Sequence, residues 1–237
     1  MSEWKAKRFW KDASVVAEGQ GYTVQLDGRP VRSPLKTLVT MPTRSLATAV
    51  ADEWQAQEER IDPLSMPLTR AVNATLDKVV PQQAEVVANL AEYGGSDLLC
   101  YRAGAPAELV AQQDARWNPV LDWAETALSA RLVTTVGVIP VAQDAAALGM
   151  LRARVADLSV WELTAFSEFV TLSGSLILAL AVMEGHLSPP EAWNLSRLDE
   201  EWQIAQWGED EAEAALVARK RAAFLQAWTY LGHLRAA

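Results

Sequence analysis

The sequence predicts an α+β fold, in which a small N-terminal antiparallel sheet with helices is followed by a larger all-helical domain. Three observations predict it. Strand-like alternation is confined to about the first forty residues, helical spacing of apolar residues begins after Pro42, and the 237 residues are enough for one large or two small domains. We place the boundary near residue 80, which gives an N-terminal α/β domain at 1–80 and a C-terminal helical domain at 81–237.

The strands come first in the chain. Apolar and polar residues alternate from Tyr22 to Leu26, Asp27-Gly28 can form a tight turn, and the extended pattern resumes at Val31. This pattern predicts a β-hairpin. Further short strands are predicted at 38–41 and around 15–16, which completes a small antiparallel sheet.

Two helices are predicted to cover that sheet. The first begins after Pro42, with Thr43 as its N-cap, and the second has an apolar stripe from Leu68 to Val79 at helical spacing, ended by Pro81. A sheet covered by two helices forms a two-layer unit, because each element then buries its apolar face.

The remainder of the chain reads as helical, apart from one candidate strand in the run Leu132 to Val141. Asn118 is a predicted N-cap, and Ser188 with Glu191 forms a predicted capping box. Helices are predicted at 82–93, 106–117, 119–129, 145–157, 160–184, 189–206 and 210–233. The stretch Leu172 to Met183 is apolar on nearly every side, which predicts a central helix buried among the others.

Composition excludes several classes of protein. A net charge of −9 and a pI near 4.8 argue against a nucleic-acid binder, which would carry a basic surface. The single cysteine, Cys100, and the two histidines leave almost nothing for a zinc site, and the cysteine count fits a reducing cytoplasm. No signal peptide opens the chain, and the apolar stretch at 172–183 is too short to cross a bilayer, so we expect no stable membrane insertion.

The most unusual stretch is acidic. Between Asp199 and Glu213 there are seven acidic residues and no basic one. On a continuous helix Leu195, Leu198, Trp202 and Ala205 share one face. Glu200, Gln203 and Trp207 line up on the opposite face. An aromatic ring beside carboxylates and outside the apolar stripe is typical of a protein-binding surface. The predicted partner-binding residues are Asp199, Glu200, Gln203, Trp207, Asp210 and Glu211.

Two other interpretations stay open at this point. The acids could form an ordinary solvated face with Trp207 packed against a neighbouring helix or the N-terminal domain. They could also serve a carboxylate-dependent hydrolase or a metal-dependent enzyme that uses the 199–211 cluster. The sequence has no phosphate-binding loop, nucleophile elbow, zincin or dinucleotide-binding motif. We therefore expect no enzyme, no catalytic residues, no cofactor and no metal.

Several motifs, in their order along the chain, resemble a known family. They are Arg8-Phe9-Trp10-Lys11, Leu26-Asp27-Gly28-Arg29-Pro30-Val31, Glu53-Trp54 with Gln57, Met66-Pro67-Leu68-Thr69, Asp97-Leu98-Leu99 with Tyr101-Arg102, Trp117 with Trp123-Ala124, Gly174-Ser175, and Leu198-Asp199-Glu200 with Gln203 and Trp207-Gly208. Together they resemble the assembly chaperones of the F(1) sector of ATP synthase, the type that receives the alpha subunit. The resemblance covers nearly the whole chain.

The resemblance implies a chaperone that binds the free alpha subunit, prevents its aggregation and hands it over for assembly of the catalytic hexamer. It implies the α+β layout described above. We also expect the protein to be monomeric when free. Mitochondrial members carry a presequence before the motif that begins here at Arg8, so a bacterial, cytoplasmic member is expected. It also implies a functional carboxylate within the Asp199-Glu200 pair. The choice among Asp199, Glu200 and Glu201 stays open, although the helix face favours Glu200. A generic peptide-binding or scaffold module is a further alternative.

Overall fold

A computed structural model describes residues 7–236 and confirms the predicted α+β fold class. The chain forms two compact units. The first runs through Gln83 and also takes in Val160–Ala165 and the stretch from Gln226. The second comprises Ala84–Ser159 and Phe166–Leu225. Two stretches from the C-terminal half therefore belong with the N-terminal residues.

The first unit contains the antiparallel sheet. Its strands are β1 (Ala13–Glu18), β2 (Gly21–Leu26), β3 (Arg29–Pro30) and β4 (Thr40–Met41). The central strand β2 pairs with β1 along its whole length and with β3 and β4 on its other edge. Asp27 and Gly28 form the turn into β3 with positive φ angles of 47° and 79°, as the sequence predicted.

Helices α1 (Arg44–Gln55) and α2 (Pro67–Ala74) complete this unit. The Thr43 side chain caps α1 by accepting a hydrogen bond from the Leu46 amide, which confirms the predicted N-cap. The side chain of Glu53, which belongs to α1, caps the start of α2. Its carboxylate accepts hydrogen bonds from the amides of Leu68 and Thr69, each at 2.7 Å, and thereby satisfies the first turn of α2. A single π-helical turn, Thr75–Val79, continues α2.

Further along the chain, the regular elements are mainly helices, with two short strands. The elements are α3 (Gln83–Glu92), β5 (Tyr101–Arg102), α4 (Ala107–Leu128), β6 (Thr135–Val136), α5 (Ala145–Ala156), α6 (Val160–Ser173), α7 (Leu176–Met183), α8 (Pro189–Ser196), α9 (Leu198–Trp207) and α10 (Glu211–Arg235). The Ser188–Glu191 capping box that begins α8 is present as predicted. The candidate strand at Leu132 to Val141 is reduced to the two residues of β6.

The predicted break at Asn118 was wrong, because α4 runs without interruption from Ala107 to Leu128 and includes Pro119. Proline within a helix removes one main-chain hydrogen bond. Here Trp117, Val120 and Leu121 are buried on one continuous face, so packing outweighs that cost.

Two other helices were predicted as continuous and are broken. The predicted helix 160–184 divides at Gly174, whose φ of 69° ends α6, and Ser175 then caps α7 by accepting from the Leu178 amide. The predicted helix 189–206 divides at Arg197 into α8 and α9. Leu195 therefore lies on α8, and the predicted apolar face that combined it with Leu198 and Trp202 is not formed by a single helix.

The core of the second unit centres on α7, in which every residue from Leu176 to Met183 is buried, as predicted for the apolar stretch. Cys100 is also a buried core residue, and its burial raises the pKa of the thiol to about 12. Beside α7, the fully buried carboxylate of Asp97 accepts hydrogen bonds from the amides of Leu99 and Ile177 and from the Ser175 hydroxyl. This carboxylate fixes the start of α7. Within residues 7–236 every helix is too short or too polar to span a bilayer.

Candidate functional site

The predicted site occupies α9 and the beginning of α10. Leu198 is buried and Trp202, one turn later, is half-buried, so these two residues anchor the inner side of α9. The acidic and amide side chains of the helix occupy its other sides. The helix ends at Gly208, whose φ of 89° is readily adopted only by glycine.

Asp199 is partly internal. Its Oδ1 accepts a 2.7 Å hydrogen bond from Nε2 of Gln113, a buried residue of α4. The other end of the Gln113 amide accepts a hydrogen bond from the Ala103 backbone at 2.8 Å. The Gln113 side chain is thus satisfied at both ends, and Asp199 is one of its two partners. Asp199 therefore has a structural role in joining α9 to α4.

A buried arginine lies in the same region of the second unit. The guanidinium of Arg102 lies 5.3 Å from the ring centre of Trp117 and forms an ion pair with Asp114 at 3.4 Å. Burial lowers the pKa of Arg102, while the charges of Asp114 and Asp199 oppose that shift. The indole of Trp117 donates to the Leu195 carbonyl at 2.9 Å, which fixes the end of α8 against α4.

Glu200 forms an ion pair with Arg197, the residue at which α8 and α9 divide. The distance from Nη1 to Oε1 is 3.3 Å, and the side chains are 12% and 44% exposed for Arg197 and Glu200 respectively. The carboxylate is accessible, but the only base next to the acidic run already neutralises part of its charge. A half-exposed pair of this kind contributes little to stability, on the order of 0.5 kcal/mol.

Trp207 is the most exposed large side chain of the site, at 76% of its full accessible surface. Its ring is nearly perpendicular to the ring of Trp202, at a centroid distance of 5.9 Å and an interplanar angle of 85°. Trp207 lies at the C-terminal end of α9, and Gln203, one turn before it, is also exposed. A side chain this exposed is not packed against a neighbouring helix of the second unit, so that part of the alternative interpretation is wrong.

The last two predicted residues begin α10. The Oδ1 atom of Asp210 accepts hydrogen bonds from the amides of Ala212 and Glu213, at 2.8 and 3.0 Å, so Asp210 caps this helix. Glu211 is exposed in the first turn of α10. An acid at this position is stabilised by the helix dipole.

The six predicted residues therefore divide by the contacts of their side chains. Asp199, Glu200 and Asp210 have structural partners, whereas Gln203, Trp207 and Glu211 present polar or aromatic groups to solvent. Within residues 7–236 no three His, Cys, Asp or Glu side chains converge in the manner of a metal site. The arrangement places one exposed aromatic ring among acidic and amide side chains, a combination that protein interfaces often use.

Sequence reasoning missed Gln113 and Arg197, which orient the acids. Gln113 is 86 residues from Asp199 in the chain, and no local pattern connects them. Arg197 carried a local signal, since it is the base next to the run of acids and stands three residues before Glu200.

Comparison with known proteins identifies the family that this chain resembles. The model of the ATP12 chaperone protein family matches residues 7–125. The mitochondrial protein atp12 of Schizosaccharomyces pombe is 26% identical over 214 residues, which cover 85% of this chain and 74% of that protein. The crystal structure of Atp12 from Paracoccus denitrificans is 49% identical, has a TM-score of 0.95, and is matched over 98% of this chain and 100% of that one. An aspartate-to-lysine mutant of the Paracoccus denitrificans protein matches with the same identity and TM-score over 99% of this chain and 100% of the mutant.

Proposed function

The chain belongs to the ATP12 chaperone family, whose members assist ATP synthase assembly, and from this premise we propose that it binds the free alpha subunit of the F(1) sector. It prevents aggregation of that subunit and hands it over for assembly of the catalytic hexamer. It acts by binding alone, without a catalytic step or a cofactor. It works as a monomer in the bacterial cytoplasm, a location that the bacterial origin of its solved relatives supports.

The observation that carries this proposal is the exposure of Trp207 among acidic and amide side chains. A tryptophan that is 76% exposed leaves a large apolar surface in water. Aromatic anchors of this kind dominate the energy of protein interfaces, while surrounding charges steer the partner and set its orientation. Gln203 and Glu211 are the exposed polar neighbours of Trp207 along the chain, and together with the acid at Glu200 they form the proposed contact surface for the alpha subunit.

The physical reason for such a protein lies in the client. A subunit made before its neighbours exposes the apolar surface that it later buries in the complex, and exposed surfaces of this size aggregate. Reversible binding lowers the concentration of the aggregation-prone species by mass action. Release then follows from competition, because the beta subunit offers a larger interface than the chaperone.

The decisive experiment measures light scattering by purified alpha subunit as it aggregates, with and without this protein. We expect suppression at a near-stoichiometric ratio. Glu200→Lys should weaken suppression without changing helicity. The matched control is Glu125→Lys, because Glu125 also pairs with an arginine at 3.3 Å and is 45% exposed, but lies on α4.

Each outcome has a distinct meaning. Equal loss in both variants would attribute the effect to net charge and remove Glu200 from the contact surface. Full protection by Glu200→Lys would do the same. Protection of isolated beta subunit but not of alpha subunit would overturn the proposed partner.

A further inference from the structure

The segment between α4 and α5 exposes an unusual amount of apolar surface. Val136, Val138 and Ile139 are 69%, 87% and 77% exposed, and Val133 and Val141 are exposed as well. No charged residue occurs from Leu132 to Gln143. Single exposed apolar residues are ordinary on a protein surface, but a continuous group of this kind marks a place of contact.

This segment has a defined conformation. The Gln143 side chain joins its two ends, because Nε2 donates to the Val133 carbonyl at 2.9 Å and Oε1 accepts from the Val133 amide at 2.7 Å. Gly104 lies directly beside Val136, and a β-carbon at that glycine would approach the Val136 methyl group to 3.0 Å. The backbone is therefore fixed while the apolar side chains remain in water.

The segment also presents a free strand edge. In the described part of the chain β6 pairs with one strand only, the parallel strand β5, and just beyond β6 the Gly137 amide donates to the Arg102 carbonyl at 2.8 Å. The hydrogen-bonding groups of alternate residues in a strand point to the same side. Since Gly137 faces β5, the amide and carbonyl of Val136 point away from it. An edge of this kind accepts an additional strand.

We propose that an extended, apolar segment of an unassembled ATP synthase subunit pairs with the free edge of β6 and covers Val136, Val138 and Ile139. This inference rests on the proposed function and adds a second contact surface, separate in sequence from α9. Main-chain hydrogen bonds to Val136 supply part of the affinity, and burial of the three side chains supplies the rest.

The charge of the protein indicates which kind of segment binds here. The segment between α4 and α5 is itself uncharged, so we expect the client residues that lie on it to be apolar. The chain as a whole carries a net charge of −9, which attracts a client segment flanked by lysine or arginine and repels a second copy of this protein. Three exposed side chains also bury far less than the roughly 1,200 Å² of a stable protein dimer.

The test compares Ile139→Ser with Leu64→Ser in the full chain. Leu64 is 76% exposed and lies in the first unit, so the two substitutions remove aliphatic groups of equal size and nearly equal exposure. With isolated ATP synthase subunits as clients, we expect Ile139→Ser to raise the dissociation constant about tenfold and Leu64→Ser to leave it unchanged. Hydrogen exchange of the Val136 amide should slow when the client is added.

The outcomes separate this inference from the proposed function. If wild-type protein binds the alpha subunit but both variants bind equally well and the Val136 amide stays unprotected, the strand-edge site is wrong and the proposed function stands. If wild-type protein binds neither alpha nor beta subunit, both fail together. If Ile139→Ser instead abolishes self-association seen by sedimentation and leaves client binding intact, the occupant is a second copy and the proposal is overturned.

Discussion

The side-chain amide of Gln113 donates a 2.7 Å hydrogen bond to the carboxylate of Asp199, and so connects the second turn of α4 to the first turn of α9. Gln113 is almost completely buried, and its side-chain oxygen accepts a hydrogen bond from the Ala103 amide. Asp199, one of the three acids among which the family resemblance left the choice open, is therefore part of the internal structure. Its loss has consequences for stability that must be distinguished from consequences for binding.

Asp199→Ala should lower the free energy of unfolding by about 1–3 kcal/mol, because it leaves a buried amide donor without an acceptor. Urea denaturation followed by circular dichroism measures this change. The matched control is Glu201→Ala, since Glu201 is an exposed acid on the same turn and should change stability by less than about 0.5 kcal/mol. Equal stability of the two variants would show that the Gln113 bond is not formed in solution.

Trp207→Ala should weaken binding of the alpha subunit about tenfold or more while leaving the thermal midpoint nearly unchanged. The expected loss follows from removal of an exposed aromatic anchor, and the unchanged stability follows from its 76% exposure in the free protein. Isothermal calorimetry and differential scanning calorimetry measure the two quantities. Trp228→Ala provides a control, because Trp228 is a second exposed tryptophan, on the part of α10 within the first unit. Unimpaired binding by Trp207→Ala would remove the centre of the proposed surface.

The stability of the protein should depend on the protonation of Asp97. Burial raises the pKa of this carboxyl group to about 6, from 3.8 in an exposed aspartate, although three hydrogen bonds favour its ionised form. The folded state therefore binds the proton more tightly than the unfolded state. The free energy of unfolding should consequently fall as the pH rises from about 4 to about 6, by up to about 1 kcal/mol per pH unit from this group alone.

Asp97→Asn isolates that contribution. The variant should show a flatter pH dependence than the wild type below pH 6, whatever its absolute stability, because asparagine does not titrate. Urea titrations at several pH values between about 4 and 6 measure the difference in slope. Parallel curves for the two proteins would mean that Asp97 keeps an ordinary pKa in the folded state. The opposite slope, with wild-type stability rising as Asp97 ionises, would mean that its hydrogen bonds outweigh burial.

The sequence correctly predicted the turns and helix ends that depend on local chemistry. The Asp27-Gly28 turn, the Thr43 cap and the Ser188–Glu191 capping box each place a suitable residue at a fixed offset, and the structure contains all three. Gly174-Ser175 is instructive in a different way. A glycine followed by a capping serine is a local signal for the end of one helix and the start of another. It was obscured by the apolar residues on both sides, which favour one long helix.

What sequence could not supply was tertiary context. Pro119 lies inside α4 because the buried face around Trp117 is continuous, and the cost of a proline in a helix is overcome only by packing that no single segment contains. The same is true of the site. The sequence pattern predicted that six residues form a partner-binding surface. In the structure Asp199 has an internal partner, Gln113, that lies far from it in the chain, whereas Trp207 is exposed.

Three buried hydroxyl groups lie close together in the first unit. Thr75 Oγ1 lies 2.7 Å from Thr164 Oγ1 and 3.0 Å from the Tyr230 hydroxyl, and it also donates to the Ala71 carbonyl at 2.9 Å. Burial raises the pKa of Tyr230, so the phenol is neutral at any physiological pH. These residues connect the π-helical turn after α2 with α6 and α10, elements far apart in the sequence.

Tyr230→Phe should cost about 1 kcal/mol of unfolding free energy, because Thr75 keeps its other two partners and no hydroxyl loses its only one. Thr75→Val should cost more, about 1–3 kcal/mol, since it removes the shared partner of both Thr164 and Tyr230. The double variant should lose less unfolding free energy than the sum of the two single losses, because Thr75→Val alone already removes the bond between Thr75 and the Tyr230 hydroxyl. A double-mutant cycle by urea denaturation measures this coupling, and strict additivity would show that the three hydroxyl groups do not act as a network.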